Sequence, residues 1–419
     1  MRLPASPVLM LLALLLAGPP VLAEQERTPP KVETLELWHT FAVNSENERI
    51  IEESVDAFEA RNPNVRVNVV RIPYMQNLQQ FINASQGGEA PDLIRVSDSE
   101  VGKIGHISVE GLPLLEDLRP HITPAQRSRF EPRALQAMRY GDPLYALPVS
   151  QVCLALVYNK ALFDGAGLAY PRDDWSSDEM IAAAEQLTAD PVKGLAIPRM
   201  WSFWYLPFIA AFGGRMFDDD GNPTLNSAGT ATAMDWFLSL YRDREIMLPG
   251  LDIEGMTTQF KLGRAAMILD GPWALNGYRD AGIDFGVALM PTLSETGKHM
   301  RPMFSYFGWA VSKQSQAKVA ATRLALALSA DEVQVRFAVA DFTMPSSLTA
   351  WQHPDIASNE TLATFRRQSG YGFQPPTTRA TALLFEQLDT AMEMTWKGEM
   401  KTQEALDEAN RTLIRILEQ

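Results

Sequence analysis

A single cysteine, Cys153, stands in the 419 residues. No intramolecular disulfide can form, so stability must come from burial alone. Cys153 lies in the apolar run "VCLALVY" with no histidine context, which reads as an inert core thiol. The usual catalytic signatures are absent too. There is no G-x-S-x-G elbow, no H-E-x-x-H, no phosphate-cradling G-x-x-x-x-G-K-[ST] and no G-x-G-x-x-G after a strand. The five histidines, 39, 106, 121, 299 and 353, lack metal-ligand spacing. The sequence therefore predicts no enzyme, no metal and no cofactor. The acidic groups do not change this: the run Asp218–Asp220 leads into Gly221-Asn222-Pro223 and reads as a solvated turn, and neither it nor Asp173-Asp174 is expected to be a glycosidase acid/base pair. Cationic blocks are missing as well. The formal charge of −14 is spread along the chain, which argues against nucleic acid and anionic membranes as partners.

Only one apolar run is long, and it is terminal. "MRLPASPVLMLLALLLAGPPVLA" carries Arg2, an apolar stretch Val8–Ala17 and a small-residue site ending at Ala23. At roughly ten residues the stretch falls short of the about 20 needed to span a bilayer. Residues 1–23 read as a secretory signal peptide cleaved after Ala23. No cysteine follows the signal, so no lipid attachment is expected and the exported chain is expected to be periplasmic. About 400 residues remain, too many for one core and suited to two lobes.

What is present is an alternation of strands and helices. "VETLELWHTF" alternates as a first strand, and Ser45 with Glu48 forms a capping-box signature opening a helix that stops at Asn62-Pro63. "VRVNVVRI", a helix ending at Gly87-Gly88, and "APDLIRV" complete β-α-β-α-β, which implies parallel strands in an α/β sheet. Further on, "DWSSDEMIAAAEQLTA", "SAGTATAMDWFLSLYRDREI" and "QAKVAATRLALALSADEVQVRFAVA" read as helices, "DFGVALMPTL" and "GWAVSK" as strands, and the C-terminus as two helices split at Lys397-Gly398.

Ligands of such sheets bind beyond the carboxyl ends of the strands. Three ends are identifiable, "HTF", "SDSE" and "DGPW". Aromatic residues gather at such places: Phe41, the group Trp201, Phe203, Trp204 and Tyr205, Trp273, the pair Tyr306-Phe307, and Tyr371 with Phe373. Flat apolar rings beside acids and amides suit sugars, whose C–H faces stack while their hydroxyls hydrogen-bond. Glu46, Asp98 and Gln151 are the candidate polar partners. Aromatics also fill cores, and an alternating cluster sends half its members inward.

Several segments together, in order, resemble the extracellular solute-binding proteins of carbohydrate ABC transporters of the maltose/maltodextrin-binding type. The most specific are "YALPVSQVCLALVYNK" and "GRAAMILDGPW"; "FEARNPNVRVNVV", "GGEAPDLIRVSD", "YLPFIAAFGG" and "GWAVSK" add to them. The resemblance implies the two-lobed α/β periplasmic-binding-protein fold (type II) with three inter-lobe crossings, a sugar in the cleft, hinge closure, and delivery to ABC permease subunits by a monomer. Position by position, Trp273 falls on the family's sugar-stacking tryptophan. Trp201 and Phe203 fall where the maltose type carries an acid and an aromatic. The strand-crossing acid aligns near Val152, with Ser150 or Gln151 as polar substitutes. An acidic contact falls near Asp98 or Ser99, and Tyr371 or Phe373 stands in for a further aromatic. Crossings are expected near Leu147–Cys153, Met303–Trp309 and Ala330–Val335. The N-terminal lobe would then comprise 32–149 plus 308–330, and the other lobe 150–307 plus 331–419. Two alternatives are another polar solute such as glycerol-3-phosphate, and a secreted glycosidase. A phosphate would want paired cations, and the candidate strand ends supply only Arg199 and Arg379.

Overall fold

The computed structural model describes residues 1, 32–199 and 201–418. The expected signal peptide and its cleavage site lie outside them. Two sheets organise the chain. The larger has six strands in the order Met344–Pro345, Ala146–Cys153, Phe304–Val311, Leu93–Ser97, Glu33–His39, Val65–Arg71. The last three are parallel to one another, as the β-α-β-α-β pattern requires, while Phe304–Val311 runs antiparallel to both of its neighbours. The smaller sheet orders Phe285–Ala288, Ala155–Asn159, Ala265–Asp270 and Lys193–Ala196, with only the last two parallel.

Helix starts follow their capping residues. The Ser45 side chain accepts from Glu48 N at 3.2 Å and opens Glu46–Arg61; the Glu48 carboxylate reaches back to Asn44 N rather than to Ser45, so only half of the expected box forms. Ser176 with Glu179 makes the complete box at the head of Ser177–Leu187. The long helical pattern after Lys318 splits at Ser329-Ala330 into Lys318–Leu328 and Asp331–Asp341. Besides the two C-terminal helices, Arg379–Lys397 and Thr402–Leu417, a third, Glu360–Tyr371, precedes them.

The chain changes sheet at one residue. Ala146–Cys153 lies entirely in the six-stranded sheet, Leu154 intervenes, and Ala155–Asn159 belongs to the smaller one. It returns at Phe304 and is still bound to the larger sheet at Pro345, through pairing with Ser150. The divisions drawn from sequence at 149/150 and 307/308 therefore fall inside intact strands. The third crossing comes after Pro345, not at Ala330–Val335, because Asp331–Asp341 packs on Glu46–Arg61 and feeds the edge strand.

The registers also fix how the sheets meet. Ala146–Cys153 is antiparallel to Phe304–Val311, which is antiparallel to Leu93–Ser97, so Cys153 lies toward the edge where the parallel strands end. Across Leu154, Ala155 pairs with Asp270, the last residue of its strand. The carboxyl ends of the parallel strands in both sheets therefore converge on the Leu154 junction.

Candidate functional site

At the end of the smaller sheet, two parallel neighbours deliver aromatic residues side by side. Lys193–Ala196 leads to Trp201 and Phe203, and Ala265–Asp270 leads through Gly271 to Pro272, the first residue of the helix Pro272–Asp280, and then Trp273. Proline at that position sacrifices no helical hydrogen bond. Trp204 sits between them, only 3 % exposed, its Nε1 donating to Leu269 O at 2.7 Å. The rings of Phe203 and Trp273 lie 5.3 and 6.3 Å from it, and 6.2 Å from each other. Trp201 and Trp273 remain 37 % and 42 % exposed. A buried indole thus backs a half-exposed aromatic wall. Trp201 holds φ +88°, a conformation rare for a bulky residue; Ser202 N, the first amide of the helix it caps, donates to Asp389 at 2.6 Å.

Asp270 anchors the Trp273 side of the wall. It is fully buried, accepts from Gly271 N at 2.8 Å and from the Tyr278 hydroxyl, and burial pushes its carboxyl up to about 6 against these bonds and one from the Trp273 indole. The Trp273 ring folds back over Gly271, where a Cβ would collide with it. The Gly271 backbone, φ −108° and ψ 178°, suits any residue. Gly271→Ala is therefore expected to swing the indole out of place, costing under about 1 kcal/mol of stability. Affinity for a ligand stacked on this wall should fall about tenfold by titration; unchanged affinity would show that the ring position does not matter.

At the end of the larger sheet the arrangement is different. Phe41 follows the first strand, stacks on Phe337 at 5.2 Å and covers Arg95, whose guanidinium lies 4.5 Å from the Phe41 ring and 4.1 Å from that of Phe307. Tyr74 closes on Phe307 at 6.1 Å. Arg95 was not among the residues singled out from sequence, because one arginine in "DLIRV" is equally consistent with a solvent-facing strand position. Its neighbours on both sides make it otherwise.

The remaining sequence candidates are placed as follows. Asp98 is buried at the head of Asp98–Ile104 and accepts from the Ser305 hydroxyl, Gln374 Nε2 at 3.1 Å and Ser99 N at 2.9 Å. Its oxygens are committed to a clasp between the larger sheet and the C-terminal segment. Ser150 and Gln151 are buried within the larger sheet, paired with Phe307 and Tyr306 on one side. Tyr306 is fully buried, a core residue rather than a wall residue. Tyr371 is exposed and lies 3.9 Å from the His299 ring, apart from both aromatic groups. Glu46 pairs with Arg49 on the helix surface and borders an outer groove with Asp331, Arg336 and His353. Among the described residues, no cluster of three or more His, Cys, Asp or Glu could hold a metal.

Buried ionisable groups give the site a pH signature. Burial pushes Asp98 up to about 6 and His39 down to about 4. A carboxyl raised in the folded state contributes stability that is full below its unfolded value near 4 and lost as pH rises through about 6. His39 acts in the opposite sense: its contribution is present above 6.5 and lost as pH falls toward 4. The wild type is expected to respond weakly between pH 5 and 8, while Asp98→Asn removes one of the opposing terms. Relative to wild type, this variant should gain about 1.4 kcal/mol between pH 5 and pH 8, since about one unit of the shift lies in that window. Parallel stability profiles from denaturant unfolding would contradict it.

Known proteins share this architecture. The maltose/maltodextrin-binding domain MalE from Bdellovibrio bacteriovorus, bound to maltotriose, superimposes with a TM-score of 0.83 at 24% identity, over 92% of this chain and 100% of that one. The substrate-binding protein Lmo0181 from Listeria monocytogenes, in complex with cycloalternan, gives 0.81 at 23% identity over 92% and 99%. These likenesses establish the two-lobed fold. In sequence, the galactooligosaccharide-binding protein of Bacillus subtilis (strain 168) is 24% identical across 86% of this chain and 85% of its own length. The maltotriose-binding protein of Pyrococcus abyssi (strain GE5 / Orsay) is 27% identical across 64% of this chain, which spans 55% of that relative. Residues 43–335 match the family model of the bacterial extracellular solute-binding proteins, and the chain belongs to that family.

Proposed function

We propose that the chain captures a di- or oligosaccharide in the cleft between its two lobes and hands it to the membrane permease subunits of an ABC importer. It does so in the periplasm, as a monomer without a lipid anchor, and it releases the sugar unchanged. The observation that carries this reading is the aromatic wall of Trp201, Phe203 and Trp273, backed by buried Trp204, where two parallel strands end. Half-exposed rings fixed on a rigid base suit the apolar faces of a pyranose, and the strand-end location is where α/β sheets bind ligands. The convergence of both sheets' carboxyl ends at Leu154 supports a cleft there and a hinge through the crossings.

In this reading Trp273, Phe203 and Trp201 stack the sugar, Phe41 and Phe307 contribute from the facing side, and Tyr371 adds a further ring apart from both groups. Asp98, Ser150, Gln151 and Tyr306 shape the cleft from beneath, and Glu46 lies at its margin. The lobes centre on the two sheets, with the larger holding residues 32–153 and 304–345. The relatives named for galactooligosaccharide and maltotriose binding support the ligand class. A thermal-shift series with maltotriose, galactooligosaccharide, digalacturonate and glycerol-3-phosphate tests it. A ligand at a hundredfold excess over its Kd adds about 2.7 kcal/mol. At least one saccharide should raise the unfolding temperature, and no reducing ends should accumulate from maltotriose. Stabilisation by glycerol-3-phosphate alone would defeat the reading, and accumulating reducing ends would replace it with hydrolysis.

A further inference from the structure

The larger sheet presents a cation to the edge where the cleft is proposed. Arg95 is half-buried, and the rings of Phe41 and Phe307 lie within 4.5 and 4.1 Å of its guanidinium. The N–H groups of a guanidinium point outward in its plane, and hydrogen-bond partners are met there. In that plane Nη1 donates to Thr40 Oγ1 at 2.7 Å, while Nε is out of solvent and has no hydrogen-bond partner. Among the described residues no carboxylate oxygen comes within 4.0 Å of Arg95. The edge formed by Nε and Nη2 is left without a hydrogen-bond partner, and that edge is the one a planar oxyanion takes through two parallel hydrogen bonds.

The surrounding acids are already engaged. Asp341 accepts from Asn47 Nδ2 and from Thr343 through its amide and hydroxyl. Asp98 is held by Ser305, Gln374 and Ser99, and Glu100 accepts from Ser97 N at 2.7 Å. Burial pushes Arg95 down to about 10, which leaves it charged at neutral pH with its hydration partly stripped. A second cation, Arg71, stands at the same edge, its Nε donating to Phe41 O at 3.0 Å. A buried charge without an ion pair is costly unless something supplies the counter-charge. The overall negative charge of the chain is no obstacle, because it is screened beyond about 10 Å.

We propose that Arg95 is a specificity-determining residue that reads an oxyanion on the bound sugar, the carboxylate of a uronic acid unit or a phosphate ester, so that the solute is an anionic saccharide. This rests on the saccharide reading of the cleft. It assigns the two walls different tasks: the tryptophan side stacks the ring, and the arginine side selects the charge.

Calorimetric titration of the wild-type chain with maltotriose, digalacturonate and maltose 6′-phosphate tests it. One of the two anionic sugars should bind at least tenfold more tightly than maltotriose, and which one does so identifies the anion. In Arg95→Met, which keeps an apolar chain between the two rings, the ratio of anionic to neutral affinity should fall tenfold or more. Arg95→Lys, which keeps the charge without the planar fork, should fall between, and it carries the comparison if circular dichroism shows the methionine variant unfolded. Maltotriose binding as tightly as both anionic sugars in the wild type, or an unchanged ratio in the folded variants, would overturn the assignment of Arg95 while leaving a saccharide site. Binding of none of the three would remove the saccharide reading and this inference with it.

Discussion

Trp273→Ala is expected to weaken saccharide binding about 30- to 100-fold while the chain stays folded. The size follows from the position. An aromatic anchor in the centre of a contact costs about 2 kcal/mol or more when truncated to alanine, and each 1.4 kcal/mol is a factor of ten in affinity. The modest structural effect follows from exposure. Trp273 is 42 % exposed, with Phe203, Trp204 and Gly271 against the rest of its ring, so unfolding free energy should fall by about 1 kcal/mol. The strand before it, Ala265–Asp270, is buried along its whole length, and without the indole Asp270 keeps its bonds from Gly271 N and the Tyr278 hydroxyl. Titration of the variant beside wild type, with denaturant unfolding of both, separates affinity from stability. A large loss of stability with unchanged affinity would make Trp273 a core residue.

Trp204→Ala reverses the balance. Its indole is buried, donates to the carbonyl of Leu269 and supports the rings of Phe203, Trp273 and Trp201. Removing it opens a cavity and leaves the Leu269 carbonyl without its donor. Buried tryptophan-to-alanine changes cost about 3–5 kcal/mol, and the unpaired carbonyl contributes to that cost. Affinity should fall as well, because the exposed rings lose the surface that fixes their angle. Denaturant unfolding measures the first effect. A stability change under about 1 kcal/mol would show that the wall stands without its backing.

The two substitutions sit in one short region but differ in what the sequence reveals about them. "GPW" after an apolar run marked Trp273 as lying just past a strand end, and the resemblance to sugar-binding proteins gave it a role. Trp204, in "WSFWYLPF", could not be told from Trp201 by pattern, since the segment is dense in aromatics. Only the fold shows that one indole reaches back to Leu269 while the other turns outward. Tyr306 and Phe307 illustrate the same limit. They are adjacent on one strand, so alternation sends them to opposite faces, but nothing local says which face is covered. Tyr306 proves fully buried, and Phe307 meets Arg95.

Local chemistry was the most legible layer. Capping serines, terminal glycines and the β-α-β-α-β order gave element starts and the parallel sheet because those signals act within a few residues. The joining of the sheets through Leu154, the shift of the last crossing beyond Pro345 and the clasp of Asp98 by Ser305 and Gln374 link residues as much as 276 positions apart. No local pattern encodes such distances. Arg95 belongs to this layer. It becomes a candidate only when Phe41 from one loop and Phe307 from a strand more than 200 residues away close on its guanidinium.

The central claim is that a saccharide occupies the cleft walled by Trp201, Phe203 and Trp273. Isothermal titration of the purified chain with maltotriose, galactooligosaccharide and digalacturonate tests it most directly. The account predicts saturable heat for at least one of them, one site per chain, with the signal strongly reduced in Trp273→Ala. Heats no larger than dilution for all three sugars, or a saturable signal that Trp273→Ala leaves unchanged, would contradict it.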